Sequence, residues 1–309
     1  MAQVVEDGRV RDVPHVGIAP PHGEELYRLA TVSDTHIGLD TFGFWPTVRD
    51  PRPSALPPAD RCLRAAVSES VAWGAQHLVA KGDITQTGAV AEAVVAARLL
   101  ASGGVPVEAV VGNHETTSRS EELGSVFESA GIVLTQGGVR ALDVPGARIV
   151  VFDSTVPNRH IGSYLQHVDD VCDAVADVDT PVLLFAHHHP QPLPVPHHWP
   201  PGVPSTEAKR FLARVARANQ RVLMSTGHTH RHRRHEYGPI TVTEVGSPQH
   251  YPGTWAGYVI HDGGIRQVVR RVASADALAW TEATARSVLR IWKRWSPGHI
   301  HDRCFSISW

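Results

Sequence analysis

The chain has 309 residues, 42% of them hydrophobic and 19% charged, with 29 basic and 31 acidic side chains. That composition suits a large globular unit with a substantial core and excludes a disordered chain. The charge balance argues against a broadly basic, nucleic-acid-coating surface, and no apolar run is long enough to span a membrane as a helix.

The N-terminal stretch from Met1 to Asp7 is acidic and lacks a signal-peptide core, which points away from secretion. Leu29 to Ser33 is a short apolar run and predicts a buried strand. A helix is expected from about Ala59 to Gln76, a strand over His77–Ala80, an Ala-rich helix over Gly88–Ala101 and a strand over Val105–Val111. Further strands are expected at Arg148–Phe152 and Val182–Ala186 with a helix between them, then a helix near Glu207–Ala218 and a strand at Val222–Ser225. From Glu236 to about Val272 the pattern is short alternating strands punctuated by Gly and Pro. Ser274 to Trp295 predicts a final helix, with Val288, Leu289, Trp292 and Trp295 on one face. That face reads as docked on the core; a homodimer contact or a membrane-surface contact are the alternatives. Two long Pro-rich loops, Asp40–Pro58 and Pro190–Pro204, read as walls or lids of a site. Cys62, Cys172 and Cys304 are scattered, with no zinc-finger spacing and no disulfide framework, and suit a reducing cytoplasm.

Twenty histidines are the unusual feature of the composition, because imidazole is the commonest metal ligand. Five short motifs close expected strands: Asp34-Thr35-His36, Gly82-Asp83, Gly112-Asn113-His114-Glu115, His187-His188-His189-Pro190 and Gly227-His228-Thr229-His230. Sites in α/β sheets form outside the carboxyl ends of strands, so all five can converge. On an extended backbone Asp34 and His36 would point the same way, as would His228 and His230. Glycine before Asp83, Asn113 and His228 would permit sharp turns. Singly the motifs are weak, since Gly-Asp is a common turn and a lone His can be a core residue. An Asp/Asn/His donor set without Cys favours Mn, Fe or Zn in an open catalytic site.

In that ordered set the chain resembles the calcineurin-like metallophosphoesterase superfamily over roughly residues 26–272, between an N-terminal extension (1–25) and a C-terminal helix and tail (273–309). The resemblance implies an α/β fold, a four-layer α/β/β/α sandwich, with two metal ions at the strand ends. It implies that Asp34, His36 and His230 hold one ion, that Asn113, His187 and His228 hold the other, and that Asp83 bridges both. A metal-bridging hydroxide would then attack phosphorus in line, with His114 donating to the phosphate or protonating the leaving group. Ser33, Thr85 and Glu115 are candidates to orient the ligands.

Departures narrow the branch. The Asp-Arg pair of the serine/threonine phosphatases is missing after Gly82-Asp83, and Gln86 stands where purple acid phosphatases place a tyrosine ligand. Gln86 also brings no carboxylate to raise the pKa of His114. Asp34-Thr35-His36-Ile37-Gly38, Gly112-Asn113-His114, the His187–Pro190 run and Gly227-His228-Thr229-His230 most resemble the bacterial cyclic-nucleotide phosphodiesterases. Hydrolysis of a small phosphodiester is therefore the first expectation, ahead of a biosynthetic phosphomonoesterase and a nuclease. A metal-free scaffold on this fold would lose ligands, and all seven are present. Phe42, Phe44 and Trp45 read as loop packing, or else as a base-stacking wall; His197, His198 and Trp199 read as leaving-group lining or as plain loop.

Overall fold

A computed structural model describes residues 19–43, 47–52, 55–117, 121–176, 178–194 and 199–309, together with an antiparallel pair of strands, Ala2–Glu6 and Arg9–Val13. Phe44, Trp45, His197 and His198 lie outside the described residues.

Two mixed sheets face one another. In the seven-stranded sheet Glu25–Val32 is central, parallel to His77–Lys81, which continues in parallel to Val107–Val110 and Val133–Thr135. On its other side the sheet runs antiparallel through Thr254–His261, Gly264–Arg271 and Phe305–Ser308. In the six-stranded sheet Ala147–Phe152, Val182–Phe185, Val222–Thr226 and Ile240–Glu244 are parallel, with Val139–Val144 and Arg233–Tyr237 as antiparallel edges.

Three apolar layers follow from the period-2 alternation of side chains. Leu29, Val79, Ile149, Val151, Leu183 and Phe185 point between the sheets. Their neighbours Ala30, Val32, Leu78 and Ala80 pack under the helices Pro58–Ala72, Val90–Ala101 and Ala275–Thr284. On the far side Val150, Phe152, Val182 and Leu184 pack under Val168–Val175 and Ser205–Ala218. The result is the expected α/β/β/α sandwich. Strands buried on both faces explain why the sequence shows continuous apolar runs rather than alternation.

Polar groups also cross between the sheets. Lys81 is fully buried, and its Nζ donates to Ser225 Oγ at 2.8 Å and to the Thr226 carbonyl at 2.9 Å. Burial pulls this ammonium down to about 7, against the opposing pull of Asp34. At the rim Arg140 Nε donates to Glu108 at 2.7 Å.

The C-terminal region departs from expectation. The helix Ala275–Thr284 is capped by Ser274, but no continuous helix runs to Trp295. Val288, Leu289 and Arg290 take left-handed φ values of 50°, 53° and 68°, and a short helix, Ile291–Trp295, restarts after them. Tertiary contacts override the helical periodicity here. Trp292 Nε1 donates to the Tyr251 carbonyl at 3.1 Å and its ring meets Phe42 edge-on, which breaks the single face. The tail then returns as the strand Phe305–Ser308, which pairs with Gly264–Arg271. The segment between residues 121 and 144 adds elements beyond those expected: a helix, Glu121–Ser129, whose Leu123 and Phe127 are fully buried at helical spacing, and two strands, Val133–Thr135 and Val139–Val144. Among the described residues no helix is long and apolar enough to cross a membrane.

Phe185 is fully buried between the sheets and meets Tyr258 edge-on, so Phe185→Ala should cost about 3–5 kcal/mol in urea unfolding. Leu165→Ala, at a position 61% exposed, should stay within about 0.5 kcal/mol of the parent.

Candidate metal centre

All seven expected ligands, Asp34, His36, Asp83, Asn113, His187, His228 and His230, gather where the two sheets' parallel strands end. The ladder of the first sheet continues past its strands, with Asp34 N donating to the Gly82 carbonyl at 3.0 Å and His36 N to the Asp83 carbonyl at 2.9 Å. In the second sheet Gly227 N donates to the His187 carbonyl at 2.9 Å. Across the gap, His228 N donates to both Asp34 carboxylate oxygens at 3.0 Å.

The route to convergence differs from the expected extended backbone. Asp34, His36, Asp83, His228 and His230 have φ of 54°, 42°, 45°, 70° and 53°. Five non-glycine residues in the left-handed region mark a strained, tightly held set of turns. The glycine expectation also needs correction. Gly82 does turn through a positive φ of 68°, but Gly112 and Gly227 do not. They are required for close approach: a Cβ on Gly112 would lie 2.2 Å from Asp83 N, and one on Gly227 would lie 1.8 Å from Ser33 Oγ.

Proton accounting shows what the site can hold. A neutral imidazole carries one N–H. His187 Nδ1 faces the Lys81 carbonyl at 2.9 Å and donates there; His228 Nε2 faces the Pro201 carbonyl at 3.3 Å and donates there. With both rings neutral, their other nitrogens are lone pairs, and they face each other at 3.1 Å. Asn113 Oδ1 and Asp83 Oδ2 each lie 3.3 Å from the same His187 Nε2. Burial pulls the His187 imidazole down, but Asp83 more than reverses this and raises it to about 9, so without an ion Nε2 holds a proton toward Asp83; a cation displacing that proton would find four converging lone pairs, on His187 Nε2, His228 Nδ1, Asn113 Oδ1 and Asp83 Oδ2. A cation with bonds of about 2.0–2.2 Å separates neighbouring ligand atoms by about 2.8–3.1 Å in octahedral and about 3.3–3.6 Å in tetrahedral geometry, a span that includes these distances, so the donor set fits a metal ion. A second group lies beside it: His36 Nε2 is 3.2 Å from His230 Nε2, which is 3.3 Å from Asp34 Oδ1. Asp83 Oδ2 lies between the groups, 3.9 Å from His36 Nε2. Burial pushes the Asp83 carboxyl up, but His187 more than reverses this and holds it well below the usual carboxylate range.

The surrounding groups orient this set. Ser33 Oγ donates to Asp34 at 2.6 Å. Glu115, fully buried, accepts from Thr85 N, Thr85 Oγ1 and Gly112 N at 2.8, 2.7 and 2.7 Å, tying two strand ends together. Burial, with Asp83 nearby, pushes its carboxyl up to about 7. His114 N donates to Asp83 at 3.0 Å, while its Nδ1 contacts the Gln86 backbone carbonyl at 2.5 Å. The Gln86 side chain is therefore not the group that matters to His114. Of the two histidines after His187, His188 is tied by Nδ1 to Ser154 Oγ at 2.9 Å, and it joins His187 and His228 in a cluster whose ligand atoms all lie within 4.8 Å. His189 is buried outside the metal-ligating groups found among the described residues.

Two contacts escaped the sequence reading. His250 is buried, stacks between His230 and Phe42, and brings its Nδ1 to 2.5 Å from His230 Nδ1. His160, exposed, faces Asn113 Nδ2 at 3.3 Å. His250 follows a strand through Gly246-Ser247-Pro248-Gln249, so the strand-end rule that found the other motifs could have found it. Both Pro-rich loops border the site, through Phe42 on His250 and through Pro201 on His228.

The family model for calcineurin-like phosphoesterases matches residues 27–232. Among solved structures, the purple acid phosphatase PPD1 from yellow lupin seeds superposes with a TM-score of 0.58 at 10% identity, covering 94% of this chain and 55% of that one. GAP50, the anchor in the inner membrane complex of Plasmodium, gives 0.51 at 11% identity, covering 80% and 84%. No curated protein matches the chain. These structural likenesses establish the fold.

Gly227→Ala should lower the melting temperature and the bound metal measured by elemental analysis, because the added methyl has to displace Ser33 and Asp34. Gly124→Ala adds a methyl that meets nothing within 4 Å in a helix and should raise stability by about 0.5–1 kcal/mol.

Proposed function

The chain belongs to the calcineurin-like phosphoesterase family, and from that premise we propose that it hydrolyses a small phosphodiester, such as a cyclic nucleotide, at a two-metal centre. It is a metal-dependent phosphoesterase; the diester preference and the residue roles are the proposed part. Asp34, His36 and His230 would hold one ion and Asn113, His187 and His228 the other, with Asp83 available to both. Bound there, Mn, Fe or Zn supplies charge neutralisation at the phosphoryl oxygens and an acidified water.

The protein's own groups do the rest. The Lys81 and Pro201 carbonyls fix the His187 and His228 rings so that unprotonated nitrogens face inward. His114 is the catalytic histidine that holds no metal. Its Nδ1–H is spent on the Gln86 carbonyl, which aims Nε2 at the open side of the site, 3.9 Å from Asp83 Oδ2. Its side chain is 27% exposed, so a substrate can reach it. Burial pulls its pKa down, but Asp83 and the Gln86 carbonyl outweigh burial and leave it raised. In its protonated form Nε2 donates to a phosphoryl oxygen or to the departing oxygen.

The observation that carries this reading is the convergence of His228 Nδ1, Asn113 Oδ1 and Asp83 Oδ2 within 3.1–3.3 Å of His187 Nε2. The diester preference rests on the motif wording, above all the His187–Pro190 run. Free cysteines among the described residues are in keeping with the expected cytoplasmic setting.

Chelation should abolish turnover and Mn²⁺ should restore it. In the Mn²⁺-loaded protein, kcat/KM should be higher for bis-p-nitrophenyl phosphate and cyclic AMP than for p-nitrophenyl phosphate; the reverse order assigns a phosphomonoesterase. Asp83→Asn should remove both turnover and metal. His114→Ala should slow turnover about a hundredfold or more with metal content unchanged, and metal loss in that variant would overturn its role.

A further inference from the structure

The segment from Ala285 to His301 contains Arg286, Arg290, Lys293 and Arg294 and no acidic residue, in a chain whose formal charge is −2. All four cations are exposed. So are Val288, Leu289, Ile291, Trp295 and Ile300, with Leu289 66% and Trp295 54% accessible. Trp199, 73% exposed, joins them from the second Pro-rich loop. Arg231 links the two: its Nη2 donates to the Trp199 carbonyl at 2.8 Å, and its guanidinium sits 5.9 Å from the centre of the Trp295 ring. The left-handed run Val288-Leu289-Arg290 is costly for a β-branched residue, and it leaves both Val288 and Leu289 exposed.

We propose that this face docks on an anionic lipid surface. Aliphatic side chains enter the acyl boundary, the two indoles lie at headgroup depth, and the cations meet phosphate headgroups. A second copy of the chain is disfavoured, because a two-fold contact would set this cationic patch against itself. Single-stranded nucleic acid would use the indoles and cations but leave Val288, Leu289, Ile291 and Ile300 without a partner, since bases stack on aromatic faces. The face borders the candidate metal centre, with the Trp292 ring 6.4 Å from that of His230. The proposal stands independently of which phosphoester that centre cleaves.

Sedimentation of the full chain with phosphatidylglycerol-rich vesicles tests it, with pure phosphatidylcholine vesicles as the comparison. Binding to the anionic vesicles, weakened by high salt, is expected. Leu289→Ser/Trp295→Ser and Lys293→Glu/Arg294→Glu should each reduce it about tenfold, with circular dichroism and melting temperature unchanged because all four positions are exposed. Absence of binding to anionic vesicles overturns the proposal, as does binding that neither double variant weakens. It is equally overturned by a dimer in light scattering that Leu289→Ser/Trp295→Ser dissolves, or by capture of a single-stranded oligonucleotide in place of vesicles.

Discussion

One hydrogen-bond pair joins the two halves of this molecule at its functional end. The Asp34 carboxylate, at the end of a strand in the seven-stranded sheet, accepts the backbone N–H of His228, at the end of a strand in the other sheet. A buried carboxylate needs such donors to stay charged. It also brings two turns that carry candidate metal ligands into register. Gly227 makes the approach feasible, because any side chain there would overlap Ser33. Lys81 repeats the arrangement deeper in, reaching from the first sheet to Ser225 and Thr226 of the second.

Around this contact the chain stores backbone strain. Left-handed residues in tight turns are expensive, and here five of them carry candidate metal-ligating side chains. The packed sheets beneath hold them. Strands buried on both faces resist displacement, so the turns they end in are positioned to within small tolerances. Imidazoles are oriented by carbonyls of Lys81 and Pro201 rather than by carboxylates. That fixes the tautomers without adding negative charge to a cluster that already contains Asp34 and Asp83.

Charge is distributed unevenly over the same end of the molecule. The floor of the site is anionic and fully buried, whereas the segment from Arg286 to Arg294 next to it is cationic and exposed. Phe42, His250 and Trp292 separate the two as a stack of rings against His230.

Much of this was legible in the residues alone. Apolar strand runs ending in Asp-x-His, Gly-Asp, Gly-Asn-His and Gly-His-x-His point to convergence at one sheet edge, because side-chain chemistry and strand direction are local properties. The four-layer sandwich is what the family resemblance implies; the apolar runs themselves ask only for cover on both faces of each sheet. What only the tertiary structure decided depends on distant partners. The left-handed turns at Asp34 and His36 replace an extended backbone because the ladder to Gly82 and Asp83 dictates them. Gly112 and Gly227 are there for neighbours thirty and two hundred positions away, not for their own torsions. His250 enters the site by stacking between His230 and Phe42, and the anchoring of Trp292 on Tyr251 breaks a helix that periodicity alone would have continued. Local patterns encode what a segment prefers; which preference prevails is set by the contacts it finds once the chain is folded.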